Sequence, residues 1–198
     1  MSLHVLRGGL AVRVRPLVPG DEPLLREAFE ALSPQSRYQR FFRHVNELSD
    51  ELWRYLCNVD GRDHVAFVAV ALTGRWRNRV VGVARFVRAA VDPTSAEVAI
   101  TIADGCQRRG LGTLLFDQLK DAAPSRGVSH FVAYALPTNV GIRRLIARHG
   151  DFEKRRIGDD EVLWLELAAS ATAGPALRYL FPCIPFLAVH REERVRSR

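Results

Sequence analysis

Apolar residues and arginines alternate over Leu10–Leu17 (LAVRVRPL), the period-two pattern of a half-buried strand. Pro19-Gly20-Asp21 supplies turn and cap chemistry, and the spacing that follows predicts a helix through about Leu32. Ser33-Pro34 reads as a second cap with proline at the first helical position, opening a short helix through QSRYQRFF. LSDELWRYLC, with Ser49, Asp50 and Glu51 at its start, predicts a third helix.

The period then changes. His64–Leu72, Arg79–Val91 and Ala96–Ala103 are β-rich runs separated by the turn candidates Thr73–Asn78 and Asp92–Ser95. They predict a three-stranded antiparallel meander. Leu111, Leu114, Leu115, Leu119 and Ala122 return to helical spacing, and Val128–Leu136 is again a strand. Strand, helix and strand make a right-handed crossover, so this part of the sheet should be parallel. Asn139–His149 predicts a helix ended by Gly150. Phe152–Ile157 and Glu161–Ala168 predict a closing hairpin around Gly158-Asp159-Asp160. The fold class is therefore α/β (α+β): a mixed, mostly antiparallel sheet flanked by helices, with one βαβ unit embedded in it. Residues 1–168 form one domain. Residues 169–198 form an extension that is apolar, interrupted by Pro175, Pro182 and Pro185, and charged at its end. That extension is too short and too rich in proline to span a membrane. It is expected to pack back on the domain or on a second copy of the chain, with a membrane surface or another partner as the alternative.

Composition narrows the classes. The 198 residues are 47% hydrophobic, enough for one core, and no apolar run is long enough for a membrane helix. No apolar leader stands at the N-terminus, and three scattered cysteines (Cys57, Cys106, Cys183) do not make a disulfide framework. A cytoplasmic location is expected. Six histidines show no ligand spacing, so no metal is expected. The net charge is +7, and only Lys120 and Lys154 of the 29 basic residues are lysines. A basic chain suits an anionic partner, but no nucleic-acid-binding motif is evident.

The chemistry concentrates in CQRRGLGTLL, Cys106–Leu115. A helix start offers unpaired N–H groups and a partial positive charge, and glycine admits a close ligand, so such a loop suits phosphate. A P-loop would need lysine, and a dinucleotide fingerprint would need glycine where Leu115 stands. The string Gln107-Arg108-Arg109-Gly110-Leu111-Gly112 resembles instead the Q/R-x-x-G-x-G/A signature of the GNAT N-acetyltransferase superfamily. The order of elements is similar from about Leu10 to Leu167. Within that superfamily the chain is most similar to bacterial protein lysine acetyltransferases, in Leu32–Phe42 (LSPQSRYQRFF), Leu48–Leu52 (LSDEL), Val59-Asp60 and the Ala96-Glu97-x-Ala99 lead-in.

The resemblance implies acetyl transfer from acetyl-CoA to an amine, with a protein lysine as the acceptor and no metal. A small-molecule amine, or a non-catalytic module binding coenzyme A or a protein, are the alternatives. It implies that Glu97 is the general base, on a strand face with Ala99 and Thr101. It implies that the backbone at Ile102 meets the pantetheine arm. Gln107, Arg108, Arg109, Gly110, Leu111, Gly112 and Thr113 would hold the pyrophosphate. Asn139 would contact the coenzyme, a plain N-cap being the other reading, and Arg143 would reach its phosphates, or like Arg144 face solvent. Two departures stand out. Ile146 occupies the position where many members carry a general-acid tyrosine, and Tyr134 is no obvious substitute. Gly150-Asp151-Phe152 carries one residue more than the family's Gly-Phe. Cys106 reads as a small loop residue.

Overall fold

The computed structural model describes residues 1–167; the extension predicted at 169–198 lies outside the described residues. The elements, in chain order, are β1 (Ser2–Val5), β2 (Ala11–Pro16), α1 (Glu22–Glu30), α2 (Pro34–Phe41), α3 (Asp50–Cys57), β3 (His64–Ala71) and β4 (Val80–Arg88). They continue with β5 (Ser95–Ile102), α4 (Leu111–Ala122), β6 (His130–Ala135), α5 (Val140–Ile146), β7 (Phe152–Ile157) and β8 (Asp160–Glu166). The strands form one sheet in the order β1-β2-β3-β4-β5-β6-β8-β7. The predicted meander is present, extended by β1 and β2, and every pairing from β1 to β5 is antiparallel. The crossover through α4 makes β5 and β6 the parallel pair.

The helix starts follow local chemistry. Ser33 Oγ accepts from the Ser36 N–H at 3.2 Å and caps α2, with Pro34 in the first turn. Ser49 does the same for α3 through the Leu52 N–H. The predicted helix from Asn139 is shorter than its pattern. Asn139 caps it by accepting from Ile142 N–H, but α5 stops at Ile146, well before Gly150.

Alternation divides the central strands between two main cores. On one face α4 packs its buried stripe of Leu111, Leu115, Phe116 and Leu119 against Ala69, Ala84, Phe86, Val98 and Phe131. Each such side chain contributes about 1.5–3 kcal/mol on burial. Gly82 in β4 makes this approach possible: a Cβ there would come within 2.9–3.1 Å of Leu115, Ile102 and Leu111. On the other face α1, α2 and α3 cover the sheet with Leu25, Phe29, Phe41, Trp53 and Leu56.

Candidate active site

The parallel pair β5/β6 is the feature that makes a site. Its register holds only from Ser95↔His130 to Glu97↔Val132, although β5 runs on to Ile102 and β6 to Ala135. The two strands part at Glu97. Beyond it, β5 keeps β4 on one side and, among the described residues, has no strand on the other, over a length of about 17 Å at 3.3 Å per residue. A groove therefore runs from Glu97 to the glycine loop.

That loop is shaped as an anion cradle. Gly110 sits at φ +92°, a left-handed conformation that glycine adopts without strain, and it turns the chain into α4. Arg108 also takes a positive φ of 58°. The backbone N–H groups of Arg108, Arg109, Gly110, Leu111, Gly112 and Thr113 meet no acceptor among the described residues; the first helical bond is Leu114 N–H to Gly110 O at 3.0 Å. Six adjacent donors at the positive end of a twelve-residue helix suit phosphate. At Gly112 a Cβ would have only Leu145 as a near neighbour, at 3.8 Å, so the protein's own packing does not demand glycine there.

The loop is tied down from the acceptor side. Asp104 accepts from Ser33 N–H (2.8 Å), Ser33 Oγ–H (2.9 Å) and Ser36 Oγ–H (2.6 Å), joining the start of α2 to the end of β5. Burial alone would raise the Asp104 carboxyl; the hydrogen bonds from Ser36 and Ser33 outweigh it and hold it low. Gln107 Nε2 donates to the Ile102 carbonyl at 3.2 Å, which joins two of the predicted site residues. Arg109 lies against the β1–β2 turn: its carbonyl accepts from Arg7 N–H, and a Cβ on Gly8 would meet its guanidinium at 2.7 Å. Arg143 is turned to β8, where Nη1 pairs with Glu161 Oε2 at 3.3 Å. Asn139 serves as the N-cap of α5.

Glu97 is 7% exposed, on the face covered by α1–α3. Its Oε2 is buried without a hydrogen-bond partner among the described residues. Burial pushes its carboxyl up to about 7, against the opposing pull of the Arg40 guanidinium. A carboxyl poised there takes a proton readily near neutral pH.

Two residues along β5, from Ala99 onward, a cleft open to solvent lies between the sheet and α1–α3. Ala99 and Thr101 form part of its floor, and Leu25, Phe29, Trp53 and Leu56 part of its roof. Arg40 and Arg85 also line it. Arg85 Nη1 donates to the Leu56 carbonyl at 2.9 Å and to His64 Nε2 at 3.0 Å. His64 must therefore be neutral, with its proton on Nδ1; burial and then the Arg85 charge hold its pKa at about 4. Burial, and then Arg40, lower the Arg85 guanidinium to about 9. Tyr55 stacks on His64 with centroids 5.3 Å apart, and burial raises its phenol.

Arg40, His64, Arg85 and Asp104 escaped the reading of the sequence. Within VVGVARFVRAA, Arg85 looks like an outward-facing residue, and only the pairing of Arg85 with Ala99 puts it on the Glu97 face. Ile146, at the position of the family's tyrosine, is 1% exposed in the α4-side core. Tyr134 packs with Val132, Val162 and Trp164. Phe152 pairs with Leu165 in β7/β8, and Gly150, at φ +146°, takes up the extra residue before it. Cys106 is buried and free.

A sequence profile of the acetyltransferase (GNAT) family matches residues 25–151, most of the described chain. The chain belongs to that family. Among curated proteins it is 34% identical over 145 residues to acetyltransferase Pat of Mycolicibacterium smegmatis, covering 73% of this chain and 42% of that protein. It thus spans less than half of the mycobacterial relative. It is 33% identical over 156 residues to an acetyltransferase of Pseudomonas aeruginosa, covering 78% and 82% of the two chains. Among solved structures it is similar to the GNAT domain of S. lividans PAT, with a TM-score of 0.75 and 27% identity over 84% of this chain and 96% of that one. The eight-stranded mixed sheet is the GNAT fold.

Proposed function

We propose that the chain transfers the acetyl group of acetyl-CoA to the side-chain amine of a protein lysine. The observation that carries the reading is the parting of β5 and β6 at Glu97, with six unbonded N–H groups at the far end of the opened edge. A thioester with a long polar arm and a pyrophosphate matches that layout. The arm lies along β5 toward Ile102, and the phosphates lie on Gln107–Thr113. Asn139 meets the coenzyme from the start of α5. Arg143 joins the phosphates only by giving up Glu161.

At neutral pH a lysine amine is protonated, and reaching the neutral form costs roughly 4–5 kcal/mol. Glu97, with a carboxyl near 7 and a buried oxygen free to accept, takes up the amine proton. The freed nitrogen attacks the thioester carbonyl carbon, the N–C bond forms and the C–S bond breaks. The thiol's ordinary pKa of about 8.5 lies well below an amine's, so the thiolate leaves without the tyrosine that Ile146 replaces. The resemblance of Leu32–Phe42 and Leu48–Leu52 to bacterial protein lysine acetyltransferases supports the choice of a protein acceptor. The test is incubation with acetyl-CoA and a lysine peptide with a blocked N-terminus, read by mass. The expected product carries one acetyl group on lysine. Coenzyme binding with no acetylation of any lysine peptide would instead favour a coenzyme-binding module.

A further inference from the structure

We propose that the apolar stretch 175–189 of the extension docks on the face of β6, β8 and β7 that points the same way as Glu97, and there forms the wall of the active site opposite α1–α3. The docking stands on its own; the role as a wall rests on the acetyl-transfer reading above.

The described helices leave this face uncovered. Residues paired across strands share a face, so Glu97, Val132, Trp164 and Glu153 make one row across β5, β6, β8 and β7, and Tyr134, Val162 and Arg155 make the next. The opposite side chains of the same strands, Phe131, Ala133, Leu163 and Leu165, pack into the α4-side core. On the Glu97 side, α1–α3 meet residues of β3 and β4, among them Ala66, Val68 and Val80. Beyond β5 the apolar residues gather in a cluster of their own, Val132 and Val162 with Ala89, Tyr134, Ile157 and Trp164, and among the described residues no helix residue belongs to it. A sheet face of aromatic and branched side chains asks for another element packed on it. Val132 and Val162 are 0% and 5% exposed within the single chain, which points to cover from the same chain.

Reach and composition choose the occupant. Leu167 N–H donates to the Ser129 carbonyl at 2.8 Å, so the chain leaves the sheet beside the start of β6, at the edge of this face. The next residues, AASATAG, are small and uncharged, and extended they reach about 25 Å. Trp164 and Val162 lie back along β8 at about 10 and 17 Å. The stretch that follows the linker, PALRYLFPCIPFLAV, carries Arg178 as its one charge. A tether this short holds the stretch near the face at an effective concentration on the order of millimolar, ahead of a free partner.

The place of docking gives the stretch its role. Val132 pairs with Glu97 and Trp164 pairs with Val132, so Trp164 stands two strand spacings, about 10 Å, from Glu97. α1–α3 bound the cleft from one side. A segment seated on Val132, Val162 and Trp164 bounds its Glu97 end from the other.

The experiment places a nitroxide on Cys183 of the full chain and reads the broadening of backbone amide signals by NMR. Cys57 and Cys106 are buried, which leaves Cys183 as the thiol to label. Docking broadens Val132, Val162 and Trp164 most and spares β1, six strand spacings or about 29 Å from β8. Phe181→Asp, which puts a charge into the stretch, should abolish that pattern. In the same variant the KM for the blocked lysine peptide should rise roughly tenfold while the KM for acetyl-CoA stays unchanged. Uniform weak broadening, or broadening centred on α1–α3, overturns the docking. So does broadening of isotope-labelled chains without a nitroxide when they are mixed with chains that carry one, since the stretch then sits on a second copy. Docking with an unchanged peptide KM in Phe181→Asp overturns the wall alone. Absence of turnover in wild-type protein removes the acetyl-transfer reading and the wall with it, and the broadening pattern still decides the docking.

Discussion

The two faces of the sheet are built from similar apolar material and packed to different ends. On the α4 side, Leu111, Leu115, Phe116 and Leu119 are essentially sealed in a face that is mostly hydrocarbon, with the Cys106 thiol buried in it and the His149 ring against Phe116 at its edge. On the α1–α3 side a cleft remains, lined by Arg40 and Arg85, and His64 and Glu97 are buried nearby on the same face. The closed face fixes where the strands and the glycine loop lie. The open face keeps space and charged groups at the point where β5 and β6 part. Chemistry sits where packing is left incomplete, and its precision is borrowed from the side where packing is complete.

The sharpest way to test this contrast is to make the same deletion on both faces. Leu115→Ala should cost about 4–5 kcal/mol, because the sealed core cannot close the gap. Leu25→Ala, at a wall that already borders empty space, should cost about 2–3 kcal/mol. Urea unfolding of the two variants measures the difference, and equal losses would erase the distinction between the faces.

Glu97→Gln probes the open face alone. Turnover should fall by about 10²–10⁴-fold, while acetyl-CoA affinity is retained. The wild-type rate should climb with pH and level off above about 7, as Glu97 loses its proton. A variant with undiminished turnover would remove Glu97 as the base.

The same substitution has an opposite effect on stability. Burial holds the folded-state pKa of Glu97 at about 7, above its ordinary 4.5, with Arg40 only partly opposing. The folded chain thus binds this proton more tightly than the unfolded one. The contribution is whole below pH 4.5 and is lost as pH rises through 7. Glu97→Gln should be more stable than wild type by up to roughly 3 kcal/mol at pH 8, with the gap closing below pH 5. Thermal melts across that range read it out; a gap that does not change with pH would mean the carboxyl is not strained by burial.

The smallest effect concerns the tie between the faces. Ser33→Ala removes a helix cap and one hydrogen bond to Asp104, and should lower stability by about 1 kcal/mol. It should also weaken acetyl-CoA binding modestly, since Asp104 leads into the loop. A change in stability with identical coenzyme affinity would uncouple α2 from the loop.

Much of this was legible in the chain. The meander, the crossover, the caps at Ser33 and Ser49, the turn at Gly110 and the placing of Glu97 with Ala99 and Thr101 all follow from period and cap chemistry. β1 did not, because four residues with Leu3 and Val5 exposed carry no buried face to set a pattern. The end of α5 did not, because its pattern continued past the point where the backbone stopped. The burial of Arg85 was invisible for another reason. A strand's period says which residues share a face, and only tertiary packing says whether a helix covers it. Arg143 shows the same limit, since its pairing with Glu161 joins residues far apart in sequence.

The most direct test of the central claim is a calorimetric titration of acetyl-CoA into wild-type protein, Glu97→Gln and Gly112→Val, each checked for folding. A Cβ at position 112 would have only Leu145 near it, at 3.8 Å, so a side chain there adds bulk at the loop without a backbone clash. The account predicts micromolar binding at one site per chain for the first two and none for the third. Unchanged affinity in Gly112→Val, or no binding by folded wild-type protein, would contradict it.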